Sequence, residues 1–163
     1  MAAHEPGSAA AQEEQRLTVD ASMHQAFEAA ERGQRFNAKV AHAAGHDKTM
    51  SGARWLHDFC TVRLSLGRGA GHSPLIARRA EPGDVILVAR PLLHRRMREA
   101  APRLARGIGE FKDFALLALR IDLKGRRIWV DDPTLTLPTD LHRAQFYELA
   151  YAMRAPQVMM IGM

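Results

Sequence analysis

An α/β fold with a mostly parallel sheet flanked by helices is what this sequence predicts, on three observations. Short continuous apolar runs recur at about 59–64, 84–90, 127–132 and 158–163, each bounded by Pro, Gly or charged residues. They are too short for buried helices and suit buried strands. Between them lie segments whose apolar residues fall at helical spacing, so strands and helices alternate along the chain.

Composition sets the frame. A chain of 163 residues fits one domain with a real core and needs no metal or disulfide staple. Cys60 is the single cysteine, so no intrachain disulfide is possible, which suits a reducing compartment. The N-terminal residues lack the basic start and apolar core of a signal peptide, and no apolar run approaches the roughly 20 residues that span a bilayer. The expectation is a soluble protein of the cytoplasm with no membrane partner. The net charge of +5 is too small to identify a nucleic-acid binder by itself.

Residues 1–18 are rich in Ala, Gln and Glu, with almost no large apolar side chain, and predict a flexible tail. A helical N-terminal extension over 19–58 follows. Met23, Phe27 and Ala30 recur at helical spacing behind Asp20 or Ser22 as cap, and Phe36, Val40 and Ala43 repeat the pattern after Gly33. Two short helices, or one with a bend at Gly33, fit equally. Trp55 and Leu56 predict a lid or short helix before the core, which spans 59–163.

The first core strand, about 59–64, contains Cys60 as a small buried hydrophobe. Pro74 suits the first turn of a helix with Leu75, Ile76 and Ala80 inward, stopped by Glu81-Pro82-Gly83. Asp84 to Arg90 reads as a central strand. The helix from Pro91 presents Leu93, Met97, Ala100 and Leu104 inward, with Pro102 ending or bending it. Phe111 to Leu119 fits a buried helix or a run into a strand, and a hairpin over 119–130 is the alternative. Arg127 to Asp132 is the third core strand, ended by Pro133. Thr139 or Asp140 caps a final helix with Leu141, Phe146, Leu149, Ala150 and Met153 inward, and Val158 to Met163 forms the last strand.

The stretch Leu66-Gly67-Arg68-Gly69-Ala70-Gly71-His72-Ser73-Pro74 joins the first strand to a helix start. A Gly-rich loop in that position turns backbone N–H groups toward a phosphate, and the helix dipole adds favourable charge. Such loops also occur for packing alone. Ile128-Trp129-Val130-Asp131-Asp132 ends a strand on two carboxylates, which also suits a plain strand-to-turn junction.

Together these two stretches, about 60 residues apart with another strand between, resemble the Walker A and Walker B motifs of P-loop NTPases. The nearest likeness is to the ATPase core of helicases and phage terminases, over roughly 59–163, which implies a phage or mobile-element setting. The resemblance implies that Gly69, Gly71, His72 and Ser73 line a phosphate site for ATP. It also implies that Ser73 and Asp131 hold Mg2+, and that Asp132 stands where a glutamate positions the attacking water. The strand ending in Ile161-Gly162 falls where such ATPases carry their sensor strand. In the family pattern a lysine reaches the phosphates. Here Leu66 replaces the first glycine and His72 the lysine, and a short, mostly neutral imidazole is a poor substitute for a fixed cation. The implied function is therefore a nucleotide- or nucleic-acid-associated protein with weak or absent hydrolysis.

Between Arg90 and Arg106 lie six arginines against one acid, Glu99. Arg95, Arg98 and Arg106 can follow a nucleic-acid backbone or form an ordinary solvated face. Trp55 and Trp129 read as core residues, since neither is interleaved with basic side chains. His42 and His46 have no third ligand at metal-site spacing, and His57 and Cys60, close to Asp58, would point to opposite faces of a strand, which argues against a catalytic pair. The alternative reading is a non-enzymatic adaptor or inhibitor, with the ATPase-like shell as scaffold and the N-terminal helices as docking surface for a protein partner.

Overall fold

A computed structural model describes residues 9–65, 72–120 and 123–162. Its centre is a sheet of five parallel strands: β1 (Thr61–Leu64), β2 (Val85–Leu87), β3 (Ile108–Gly109), β4 (Ile128–Asp131) and β5 (Val158–Ile161). Their spatial order is β1-β5-β4-β2-β3, the generic arrangement of an open, Rossmann-like α/β sheet. The eight α-helices among the described residues are α1 (Ala9–Ala43), α2 (His46–Thr49), α3 (Gly52–Phe59), α4 (His72–Arg79), α5 (Pro91–Ala100), α6 (Phe114–Arg120), α7 (Pro133–Thr136) and α8 (Asp140–Ala152). None of them is long and apolar enough to cross a membrane.

Parallel strands are covered on both faces, and the alternation along each strand feeds two cores. One contains Val85, Leu87, Ile128, Val130, Val158 and Met160 of the sheet under α3, α6 and α8. The other contains Ile86, Trp129, Met159 and Ile161 under α1, α4 and α5. Trp129 is fully buried and stacks on Phe27 of α1 with ring centroids 5.7 Å apart. Burying side chains of this size contributes about 1.5–3 kcal/mol each, which is what holds α1 to the sheet.

The connections decide the position of any site. After β1 the chain leaves through α4 toward one face, and after β4 it leaves through α7 and α8 toward the other. Divergent exits of this kind open a crevice at the carboxyl ends of the strands. Leu64, Ile161 and Asp131 lie in one register row there, so β1, β5 and β4 end level with one another.

Several elements differ from expectation. The segment from Ala9 to Ala43 is one helix, which decides between the two alternatives for this stretch, and it begins inside the stretch read as a tail. Its Ala-, Glu- and Gln-rich start has high helix propensity, and Gly33, with open space where a side chain would stand, lowers helix stability by only about 1 kcal/mol. Phe36 and Val40 follow helical spacing yet stay exposed, while Ala41 in the same stretch of α1 is buried, so a different face of the helix is the packed one. Cys60 sits at the end of α3, just before β1 and half-buried.

Ile108–Gly109 is an additional strand, too short to leave a pattern, and the Leu117 side chain packs into the space beside Gly109, where a Cβ would lie 2.4 Å from its Cδ1. Phe114 to Arg120 is helical, and β4 pairs in parallel with β2 and β5 rather than within a hairpin. Ala100 of α5 is exposed, while Met97 of α5 and Leu104 of the 3-10 segment that follows it are buried as expected. In α8, Thr139 caps the helix as expected, but Leu141 is exposed and Tyr147 takes the inward place.

Candidate functional site

Three segments with no sequence proximity converge at the level ends of β1, β5 and β4. His72 and Ser73 begin α4, Asp131 and Asp132 close β4, and Gly162 follows β5. Ser73 Oγ donates to Asp131 Oδ2 at 2.6 Å. Asp131 is 3% exposed, and burial pushes its carboxyl above the usual carboxylate range. The Ser73 hydrogen bond and the charge of His72 pull it the other way.

His72 is held by shape. Gly162 has φ +93°, and a Cβ on it would lie 2.5 Å from His72 Nδ1, so the imidazole occupies the room that the missing side chain leaves. Its Nε2 is buried and has no hydrogen-bond partner among the described residues. Among the described residues His94 Nε2 and Asp47 Oδ1 are likewise buried without a partner, and His72 Nε2 is the one of the three beside the buried Asp131 carboxylate.

Asp132 is a non-glycine residue in the left-handed region, with φ 49° and ψ 75°. Its N–H donates to Ile161 O at 2.9 Å, and its Oδ1 accepts from the Thr134 hydroxyl at 2.6 Å. The bend at this position costs on the order of 1 kcal/mol, and it turns the chain sharply away after Asp131.

Of the residues singled out from sequence, His72, Ser73, Asp131 and Asp132 are therefore brought together. Gly69 and Gly71, with Leu66, lie outside the described residues. Trp55 packs on Phe59 of α3 with ring centroids 4.9 Å apart, away from this crevice. Arg95 and Arg98 are on α5, but that helix ends at Ala100, and Arg106 lies in the turn beyond the 3-10 segment Pro102–Leu104. They do not share one helix, because Pro102 cannot continue α5. Arg98 Nε donates to Ala105 O at 3.2 Å, and Arg95 Nε lies 3.8 Å from Glu99.

The remaining candidates have local roles. His42 pairs with Asp47 at 2.9 Å, His46 stacks on Phe59, and His57 belongs to α3 and bonds Asp58. Among the described residues no cluster of three or more His, Cys, Asp or Glu side chains is present to hold a metal. The hard oxygen pair Ser73 and Asp131 nevertheless suits Mg2+, which takes one or two protein ligands and keeps water or phosphate oxygens for the rest.

Sequence reasoning did not single out the groove that starts at Ser73. It runs between α4 and α5, has a volume of about 760 Å³, and is lined by Pro74, Ala77, Leu93, Met97 and Ala100 with Arg78, Arg96 and Arg103 among them. The spacing 93, 96, 97, 100 along α5 was a signal for a shared face, but only the position of α4 makes that face one wall of a groove. Comparison with models of protein families, with curated proteins and with solved structures finds nothing that matches this chain.

Proposed function

We propose that the chain is a nucleotide-associated protein of the P-loop NTPase type, binding phosphate and Mg2+ at the ends of β1 and β4 with weak or absent hydrolysis. The observation that carries this reading is the hydrogen bond from Ser73 to Asp131, which joins a hydroxyl and a carboxylate 58 residues apart in sequence. These are the two oxygen ligands that the resemblance assigns to Mg2+. Two further features support it: β5 lies between the two motif-bearing strands, where the ATPases it resembles carry a sensor strand, and His72 Nε2 is left without a partner among the described residues.

In this reading Ser73 and Asp131 hold the ion, and His72 with the α4 N-terminus faces the phosphates. Bound Mg2+ would counter the charge that phosphoryl oxygens bring into the crevice. His72 is too short and too weakly charged to replace the usual lysine, so affinity is modest. Asp132, already accepting from Thr134, is a poor substitute for a longer glutamate in activating water. Arg95, Arg98 and Arg106 are the candidate nucleic-acid contacts.

Calorimetric titration with ATP and Mg2+ tests the proposal. Micromolar to sub-millimolar binding in the wild type, weakened at least ten-fold by both Ser73→Ala and Asp131→Ala, is the expected result. A folded wild-type protein that gives no binding heat up to about 1 mM ATP refutes it.

A further inference from the structure

The helix α1 shows what kind of partner the arginines of α4 accept. It lays Met23 and Phe27 into the core while Asp20 pairs with Arg78 at 2.8 Å and Glu28 with Arg79 at 2.7 Å. Two carboxylates of a helix that buries apolar side chains thus already meet the arginines on one flank of α4. The opposite flank, facing α5, carries the same two chemistries with no helix among the described residues to meet them.

That second flank is the groove of about 760 Å³. Its apolar surface comes from Pro74, Ala77, Leu93, Met97 and Ala100, and its charged lining residues are Arg78, Arg96 and Arg103, with no acid among the described residues. Arg78 is neutralised by Asp20, and Arg103 donates to the carbonyls of Ala77 and Ala80. Arg96 is exposed and has no ion pair among the described residues, which leaves net positive charge over an apolar floor.

We infer that the groove between α4 and α5 is a docking site for an acidic amphipathic helix of a partner protein. The floor is aliphatic, with small residues at Ala77 and Ala100 that admit a partner's larger side chains and a Met at 97 that can repack around them. A nucleic-acid strand is the less suited occupant, because its bases seek aromatic stacking platforms and none lines this groove. Helices of eight and ten residues form the walls, so about three turns of a bound helix can be accommodated. Its apolar residues at i, i+3 or i+4, and i+7 would face the floor, and its carboxylates would meet Arg96. The inference stands on the groove and does not depend on nucleotide binding, although Ser73 belongs to both places.

The test is selection of helix-forming peptides about 16 residues long from a displayed library on the full chain, followed by fluorescence anisotropy of the synthetic winners. Winners with acidic residues flanking an apolar stripe are expected, with Kd raised at least ten-fold by Ala100→Trp and by Arg96→Glu. Both positions are exposed, so thermal melts should match wild type and exclude misfolding as the cause. The inference is overturned if no peptide is selected, if the winners lack acidic residues, or if both variants bind as wild type does. It is also overturned if a single-stranded oligonucleotide binds and is displaced by Ala100→Trp while peptides are not.

Discussion

Ser73 Oγ donates to Asp131 Oδ2 at 2.6 Å, tying the first turn of α4 to the end of β4. The carboxylate is 3% exposed, so the protein holds a nearly buried acid next to a hydroxyl where an apolar pair would pack at lower cost.

That cost gives Asp131→Asn a definite signature. Burial raises the folded-state pKa above the unfolded one. The folded protein therefore binds more protons between the two values, and the wild type loses stability as pH rises through that window. Asn keeps an acceptor for Ser73 and removes the charge. Metal-free Asp131→Asn should melt a few degrees above wild type near pH 7, with the difference shrinking as pH falls toward about 4. Parallel Tm curves across that range would remove burial of the charge as the explanation.

Gly162→Ala should be destabilising for two separable reasons. An alanine at φ +93° is strained, and its Cβ meets the His72 ring at 2.5 Å, for a total of about 2 kcal/mol. In the His72→Ala background the collision is gone and the backbone strain remains. Urea unfolding of the four proteins in the cycle should show a coupling of about 1 kcal/mol. Additive losses would mean that the ring and the glycine are independent.

Asp84 is a second buried carboxylate, and its partners are all donors. It accepts from Glu81 N–H at 3.0 Å, Arg127 N–H at 3.0 Å and Trp129 Nε1 at 2.8 Å. Asp84→Ala orphans all three and should cost about 3 kcal/mol or more. Trp129→Phe removes one donor but also core volume, so Asp84→Asn is the cleaner control, with an intermediate loss. Denaturant midpoints rank the two Asp84 variants, and equal midpoints for Asp84→Ala and wild type would contradict the network.

The Cys60 thiol is pushed up from its ordinary pKa by burial, against a smaller opposing hydrogen bond with Trp55. Less thiolate and less access both slow alkylation. Iodoacetamide at about pH 8 should modify the folded protein at least ten-fold more slowly than the urea-unfolded chain. Equal rates would show an open, ordinary thiol.

Much of the fold was legible because it is written in short-range patterns. The runs at Val85–Leu87, Ile128–Asp131 and Val158–Ile161 are continuous because parallel strands are covered on both faces, and Thr139 announces α8 as a cap. Ile108–Gly109 was illegible, since two residues carry no period and the strand exists only by pairing with β2. Phe36, Val40 and Leu141 misled for the opposite reason. Helical spacing says which residues share a face, but whether that face meets anything depends on what the fold packs against it.

The sequence by itself determined the class of elements, their order and the residue types at the candidate site, because hydrophobic period, caps and turn residues act over a few positions. Only the tertiary structure decided that β5 inserts between β1 and β4, that Ser73 meets Asp131, and that His72 rests on Gly162. It alone set α4 beside α5 to make the groove. Strand order and helix packing join residues tens of positions apart through burial and close packing, and those contacts leave no local pattern in the chain.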